Sequence, residues 1–438
     1  MQLLSKKVDA LFAHCEKADS PGCALAVIDQ GQIVYQRGYG MADIEKGEKI
    51  TPLSSFYIAS VSKQFTAACM LLLAERGAIS LDDDVRRYFP ELPDYGAKIT
   101  IRHCIHHTSG LRDNLDLWYA AGRSFVKPFD NVQCLQLMLS QRGVNFAPGE
   151  KHLYCNTGYK LMAELVPRVC GLSLRQFAER EIFAPLGMTN TFFDDNNEKI
   201  KRRVVSYAEN DGHLKAQEKA FTIVGSGGII TTVGDLFLWD QNFYRKKVGG
   251  PAFIEQMYER GQLNDGTLLD YASGLSHGGR KGLRTVGHGG AMLGFRTHIL
   301  RFPDENFSVV ILGNYSGFDA YKSACQVADV YLAERYPLAQ YAGLYHCREL
   351  DKSYRLQRID GELVVYLGGE KLVLESAGFD RFSVGGFDLN FQRAAAGAVQ
   401  RFILSTGRAQ GMVCTKEPAR RLLRRKRRRL AVVSGRRS

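Results

Sequence analysis

The sequence predicts an α/β (α+β) protein: an antiparallel sheet flanked by helices, with a mainly helical subdomain carried between its strands, and then a small C-terminal antiparallel β-barrel. Three observations lead there. Hairpin signals open and close the first 335 residues, a helix apolar on every side lies between them, and beyond Pro337 the text breaks into short strands at close spacing.

The opening hairpin is Ala24-Leu25-Ala26-Val27-Ile28 and Gln32-Ile33-Val34-Tyr35-Gln36, joined through Asp29-Gln30-Gly31. Phe65 to Arg76 holds an unbroken apolar run from Ala67 to Ala74 and stops at Gly77, so it reads as a central buried helix. Residues 81–223 mix helical patches (131–141, 160–170, 174–183) with Gly-, Pro- and Asn-rich connections. Strand character returns at 297–302 and 307–312 around the turn Pro303-Asp304-Glu305-Asn306, followed by a helix over about 318–335. After a linker at Tyr336-Pro337-Leu338, strands are expected at 354–358, 363–367, 371–374, 381–384, 387–391 and 399–404. The expected domains are therefore 1–335, a barrel over 338–415 and a basic tail over 416–438.

The net charge of +12 is a property of that tail. From Lys416 onward eleven basic residues stand against Glu417 alone, which leaves only +2 for everything before it. The tail is too charged to pack and is expected to be disordered. Contact with nucleic acid or an anionic membrane would run through it alone, and a solvated extension is the favoured reading. Ten cysteines occur without a C-x-x-C pair, so neither a zinc site nor a dithiol redox motif is indicated and buried free thiols are expected. The first residues, Met1-Gln2-Leu3-Leu4-Ser5-Lys6-Lys7-Val8-Asp9, lack the apolar stretch of a signal peptide, and no later run reads as a membrane span. The expected compartment is the cytoplasm, or the periplasm if a leader has been removed.

Ser60-Val61-Ser62-Lys63 places a hydroxyl and an amine at i and i+3 in the first turn of the buried helix, where the two side chains lie side by side. Burial and the helix dipole disfavour a protonated Lys63, so a neutral amine can take the proton of Ser60. Ser124-Phe125-Val126-Lys127 repeats the spacing, but Pro128 pushes Lys127 out of the α region and the motif reads as surface loop. In Tyr154-Cys155-Asn156, a phenol can relay a proton to a leaving group and an amide can hold a carbonyl or the lysine. Gly287-His288-Gly289-Gly290-Ala291 stands just before a strand, where its backbone N–H groups can join that of Ser60 around an oxyanion. Gly274-Leu275-Ser276-His277-Gly278 fits the G-x-S-x-G elbow, a rival nucleophile, but the glycine-rich text after it cannot start a helix.

Serine at the head of S-x-x-K, then Y-x-N, then H-x-G, in this order, resembles the penicillin-recognising serine hydrolases: class C β-lactamases, D-alanyl-D-alanine carboxypeptidases, D-aminopeptidases and related esterases. His106-His107-Thr108-Ser109-Gly110-Leu111, Pro185-Leu186-Gly187-Met188 and Gly225-Ser226-Gly227-Gly228 are similar to the family's text as well. The resemblance implies a β-lactamase/transpeptidase-like fold, an acylated Ser60, proton transfer by Lys63 and Tyr154, and substrate contact by Asn156. It further implies that His288, Gly289 and Gly290 line the site, that the Ala291 N–H is an oxyanion donor, and that no metal or cofactor takes part. The barrel resembles the lipocalin-like domains appended to D-aminopeptidases. His288 departs from the lysine that β-lactamases carry there. A mostly neutral imidazole weakens carboxylate recognition, unless Arg296 restores the charge, and favours small amides, short peptides or short-chain esters over penicillins. A β-lactamase and a non-catalytic binding or assembly protein on the same scaffold are the alternatives. Homo-oligomerisation stays open.

Overall fold

The apolar hairpin strands become the middle of a sheet. The computed structural model describes residues 2–125, 127–196, 199–200, 202–395 and 397–418; beyond Pro418 the basic tail lies outside the described residues. The sheet consists of β1 (Cys23–Asp29), β2 (Gln32–Tyr39), β3 (Ser276–Arg280), β4 (Leu283–Met292), β5 (Phe295–Phe302) and β6 (Phe307–Gly313), in the order β3-β4-β5-β6-β1-β2. Strand β1 is paired antiparallel to β6 on one edge and to β2 on the other, and β6 is buried throughout, which is why both read as near-continuous apolar runs. Both predicted hairpins are present.

Helix α1 (Lys63–Glu75) is buried from Lys63 to Leu73. Each fully buried Leu or Phe on it contributes about 1.5–3 kcal/mol. It ends as the sequence predicts: Gly77, at φ +68°, donates its N–H to Ala74 O at 2.9 Å, and Ala78 donates to Leu73 O at 3.0 Å. Helix α2 (Asn114–Ala120) and the amphipathic α3 (Asn156–Cys170) pack beside each other, α3 also against α1. Helix α4 (Ala320–Leu332) follows β6. Under the sheet, Arg301 on β5 donates from Nε to Asp240 Oδ1 at 2.7 Å, and Ser308 Oγ donates to the same oxygen at 2.8 Å; both charged side chains are wholly buried.

The region read as mainly helical also holds strands. Phe192–Phe193 within it forms a three-stranded sheet with Phe56–Tyr57 and Ile229–Thr231, which lie outside it, and Ser206–Asn210 pairs with His213–Gln217. The first three are too short to show alternation, and the second hairpin is mostly exposed and polar. Residues 287–291, read as preceding a strand, lie inside β4.

The chain divides into two compact units, 1–277 with 286–330, and 278–285 with 331–438. The second contains a nearly closed nine-stranded antiparallel barrel in the order Glu370–Val373, Glu362–Leu367, Lys352–Ile359, Gly343–Cys347, Met412–Lys416, Val399–Thr406, Phe387–Arg393, Arg381–Val384, Glu375–Gly378. Its two end strands follow each other in the chain through Leu374. Aromatic rings fill it, with Tyr345 and Phe402 at 4.9 Å, Phe391 and Phe402 at 5.3 Å and Tyr341 and Phe391 at 4.8 Å between centroids. Six of these strands were expected; Gly343–Cys347, Glu375–Gly378 and Met412–Lys416 are additional, and the last takes in Lys416, the first residue of the segment read as tail.

Candidate active site

The S-x-x-K motif forms a tight turn at the head of α1. Residues Ala59–Ser62 are 3₁₀, so Lys63 opens the α-helix itself. Ala59, one residue before the serine, sits at φ +48°, a left-handed conformation costly for a residue with a Cβ. Ser60 is half-buried and Lys63 fully buried.

Three oxygens surround Lys63 Nζ: Asn156 Oδ1 at 2.8 Å, Ser226 O at 2.8 Å and Ser60 Oγ at 3.1 Å. A neutral amine has two N–H bonds and one lone pair. The amide and carbonyl oxygens can only accept, so they take the two N–H bonds, and the lone pair is left for the hydroxyl of Ser60. Burial is the main cause that pulls the Lys63 pKa down to about 7, with the Asp113 carboxylate opposing it.

Asp113 is the residue that sets up this arrangement. Its Oδ2 accepts from the Asn156 backbone N–H at 2.5 Å and from Asn156 Nδ2 at 3.0 Å, which turns Asn156 Oδ1 toward Lys63. Its Oδ1 caps α2 by accepting from Leu115 and Asp116 N–H at 2.9 and 3.1 Å. Asp113 was not singled out in the sequence, and Ser226 was named only within Gly225-Ser226-Gly227-Gly228, with no role for its carbonyl. The helix-cap pattern at Asp113 is a local signal that could have flagged it, whereas nothing in the spacing points to Ser226.

Tyr154 lies 4.7 Å from Lys63 Nζ, measured to the ring centre, and lines the same cavity as Ser60. Although 39% of its surface is open, its hydroxyl sits among protein atoms, and that burial raises its pKa and keeps it a phenol.

On β4, Gly290 has a steric reason. A Cβ there would lie 2.2 Å from Ile58 O and 2.4 Å from Thr297 Oγ1, so only glycine lets the strand close onto the backbone that leads into Ser60. Thr297 Oγ1 donates to Ile58 O at 2.9 Å across the same contact. Ala291, the next residue, is exposed toward the cavity. His288 is buried. Its Nδ1–H donates to Gly289 O at 2.6 Å, which leaves Nε2 to accept from the Tyr271 hydroxyl at 3.0 Å. Desolvation, with the nearby Lys63 second, holds the His288 pKa down at about 3, so the ring is neutral.

Ser60, Tyr154, Asn156, His288, Gly289, Gly290 and Ala291 all line one cavity of 760 Å³. Arg296, opposite Ala291 in the β4–β5 register, lines it too, and donates from Nη1 to Leu293 O and Phe295 O at 2.9 and 2.8 Å. Neither rival serine, Ser124 or Ser276, lines this cavity, although Phe125 does: Lys127 is exposed on the loop after α2, and Ser276 is exposed on β3, with a strand and not a helix after it.

Residues 8–331 match the beta-lactamase family. The chain belongs to that family. It is a serine hydrolase of the β-lactamase fold. A penicillin-binding protein from Bacillus subtilis is 31% identical over 338 residues, covering 73% of this chain and 74% of that protein. A D-aminopeptidase from Cereibacter sphaeroides is 30% identical over 308 residues, covering 67% of this chain but only 57% of its own length. In structure, the octameric penicillin-binding protein homologue from Pyrococcus abyssi superposes with a TM-score of 0.66 at 22% identity, covering 94% of this chain and all of that one.

Proposed function

We propose that this beta-lactamase-family hydrolase cleaves small amides and short peptides, and with them short-chain esters, through an acyl-enzyme on Ser60. The observation that carries this reading is Lys63 Nζ standing 3.1 Å from Ser60 Oγ with two oxygens that can only accept, Asn156 Oδ1 and Ser226 O, at 2.8 Å to take its N–H bonds. Ser60 gives its proton to Lys63 Nζ and attacks the substrate carbonyl; the N–H groups of Ser60 and Ala291 hold the oxyanion. Tyr154 gives its proton to the leaving nitrogen as the C–N bond breaks, and the Lys63 ammonium reprotonates Tyr154. Water then adds to the ester, and Ser60 leaves with its proton restored. Asn156 orients Lys63 and meets the substrate, and His288, Gly289 and Gly290 form the wall beside it. The neutral His288 supports amides over penicillins, and the D-aminopeptidase relative supports the same class. A carboxylate on the substrate would meet Arg296.

The hydrolase is assigned to residues 1–335 and the lipocalin-like barrel to 338–415. Nine buried cysteine thiols support the cytoplasm as its compartment. The octameric Pyrococcus homologue supports a homo-oligomer, which light scattering would test.

The deciding experiment follows hydrolysis of a p-nitrophenyl short-chain ester, D-alanine p-nitroanilide and a chromogenic cephalosporin by wild type and Ser60→Ala. Ser60→Ala is expected to lose at least about a thousandfold in kcat on every substrate turned over. Equal rates in the two proteins would show that Ser60 is not the nucleophile. Turnover of the cephalosporin alone would make the protein a β-lactamase, and no turnover at all would favour the binding protein.

A further inference from the structure

Tyr154 stands on an extended, exposed run, residues 151–154, that has no secondary structure of its own to fix it. One residue grips it from both sides. Leu153 donates its N–H to the backbone oxygen of His107 at 3.0 Å, and Cys155 donates its N–H to His107 Nδ1 at 3.1 Å. Between these two hydrogen bonds the His107 ring packs on the Tyr154 ring, 4.2 Å between centroids. His107 itself is 1% exposed and held at φ +57°, where a residue with a Cβ is strained. Because Nδ1 accepts, the ring proton is on Nε2, which has no hydrogen-bond partner among the described residues and lies in the setting of the Tyr159 and Tyr271 rings, 5.1 and 4.6 Å from the imidazole. A strained backbone and an unsatisfied buried N–H are both costs to folding. Neither is needed to build the loop, since a backbone acceptor would serve.

We infer that His107 is the positioning residue of Tyr154, clamping the backbone on either side of it and packing against its ring so that the phenol stays on the line between Ser60 and the leaving group. This rests on the reading of Tyr154 as the proton donor to the leaving group. The imidazole touches neither substrate nor reacting atoms in this role. It keeps the donor's position fixed, which a displacement of about 1 Å would spoil by up to a hundredfold.

The test compares D-alanine p-nitroanilide with D-alanine p-nitrophenyl ester, which share an acyl group. The anilide nitrogen must be protonated to leave, while p-nitrophenolate departs without a proton. His107→Phe keeps a ring but loses the acceptor; it is expected to lower kcat on the anilide about ten- to a hundredfold, with KM within about threefold, and on the ester by less than about threefold. His107→Asn can adopt positive φ and offers Oδ1 to the Cys155 N–H, so it should recover most of the anilide rate and keep the proposal testable if His107→Phe fails to fold. Equal losses on both substrates, or none on either, would overturn the proposal. Tyr154→Phe separates the two levels. If it shows the anilide-selective loss and the His107 variants do not, only the positioning role falls; if it shows no such selectivity, the proton-donor reading falls with it.

Discussion

Two of the cations buried in the catalytic unit come to opposite ends. Arg301 and Lys63 are both shut off completely from solvent. Arg301 meets a carboxylate, Asp240, at 2.7 Å, and despite the burial that pulls its pKa down, the pairing leaves it raised and the guanidinium charged. Lys63 is offered only uncharged oxygens, with the nearest influential carboxylate, Asp113, held off behind Asn156. Burial then wins, and its pKa comes down to about 7. The same desolvation makes a structural ion pair in one place and a general base in the other, and the charge of the immediate acceptor decides which.

The largest effect that can break this contrast is on the structural side. Asp240→Ala leaves Arg301 charged in the interior with Nη1 and Nη2 already lacking hydrogen-bond partners among the described residues, so it should cost about 3–5 kcal/mol in urea unfolding. A loss below about 1 kcal/mol would mean that water or another group serves Arg301.

A smaller change converts one environment into the other. Asn156→Asp puts an anion where Lys63 now meets an amide oxygen at 2.8 Å. It should raise the Lys63 pKa by about one to three units and move the rising limb of the kcat/KM profile to higher pH by as much. An unmoved midpoint would mean that Lys63 is not the group being titrated.

The sequence made some of this arrangement legible and not the rest, and the dividing line is range. Ser60 and Lys63 could be paired because i and i+3 on a helix are neighbours by geometry alone. Tyr154, His288 and Ala291 were reached through motif order, and the structure brings them to one cavity. The groups that set the charge state of Lys63 were not legible. Ser226 lies 163 residues from it in the chain, and Asp113 acts through Asn156, 43 residues away. His107 was visible only as part of a longer run, with nothing to show that it straddles Tyr154. In the fold, β1 and β6 were readable because burial on both faces forces apolar runs, whereas Ser206–Asn210 and His213–Gln217 carry mostly exposed polar side chains and give no alternation. Gly290 was read as lining the site; its missing side chain also makes room for the carbonyl of Ile58.

The most direct test of the central claim, that Lys63 is a neutral amine because it is buried among uncharged acceptors, is the pH dependence of kcat/KM for the wild-type protein on a substrate without ionisable groups. The base form of Lys63 must be present for activity, so kcat/KM should be flat at alkaline pH, bend near pH 7 and fall about tenfold per unit below it. His288, at about 3, should add no second bend between pH 5 and 8. A profile that keeps rising to pH 10, or one that stays flat down to pH 5, would contradict the account.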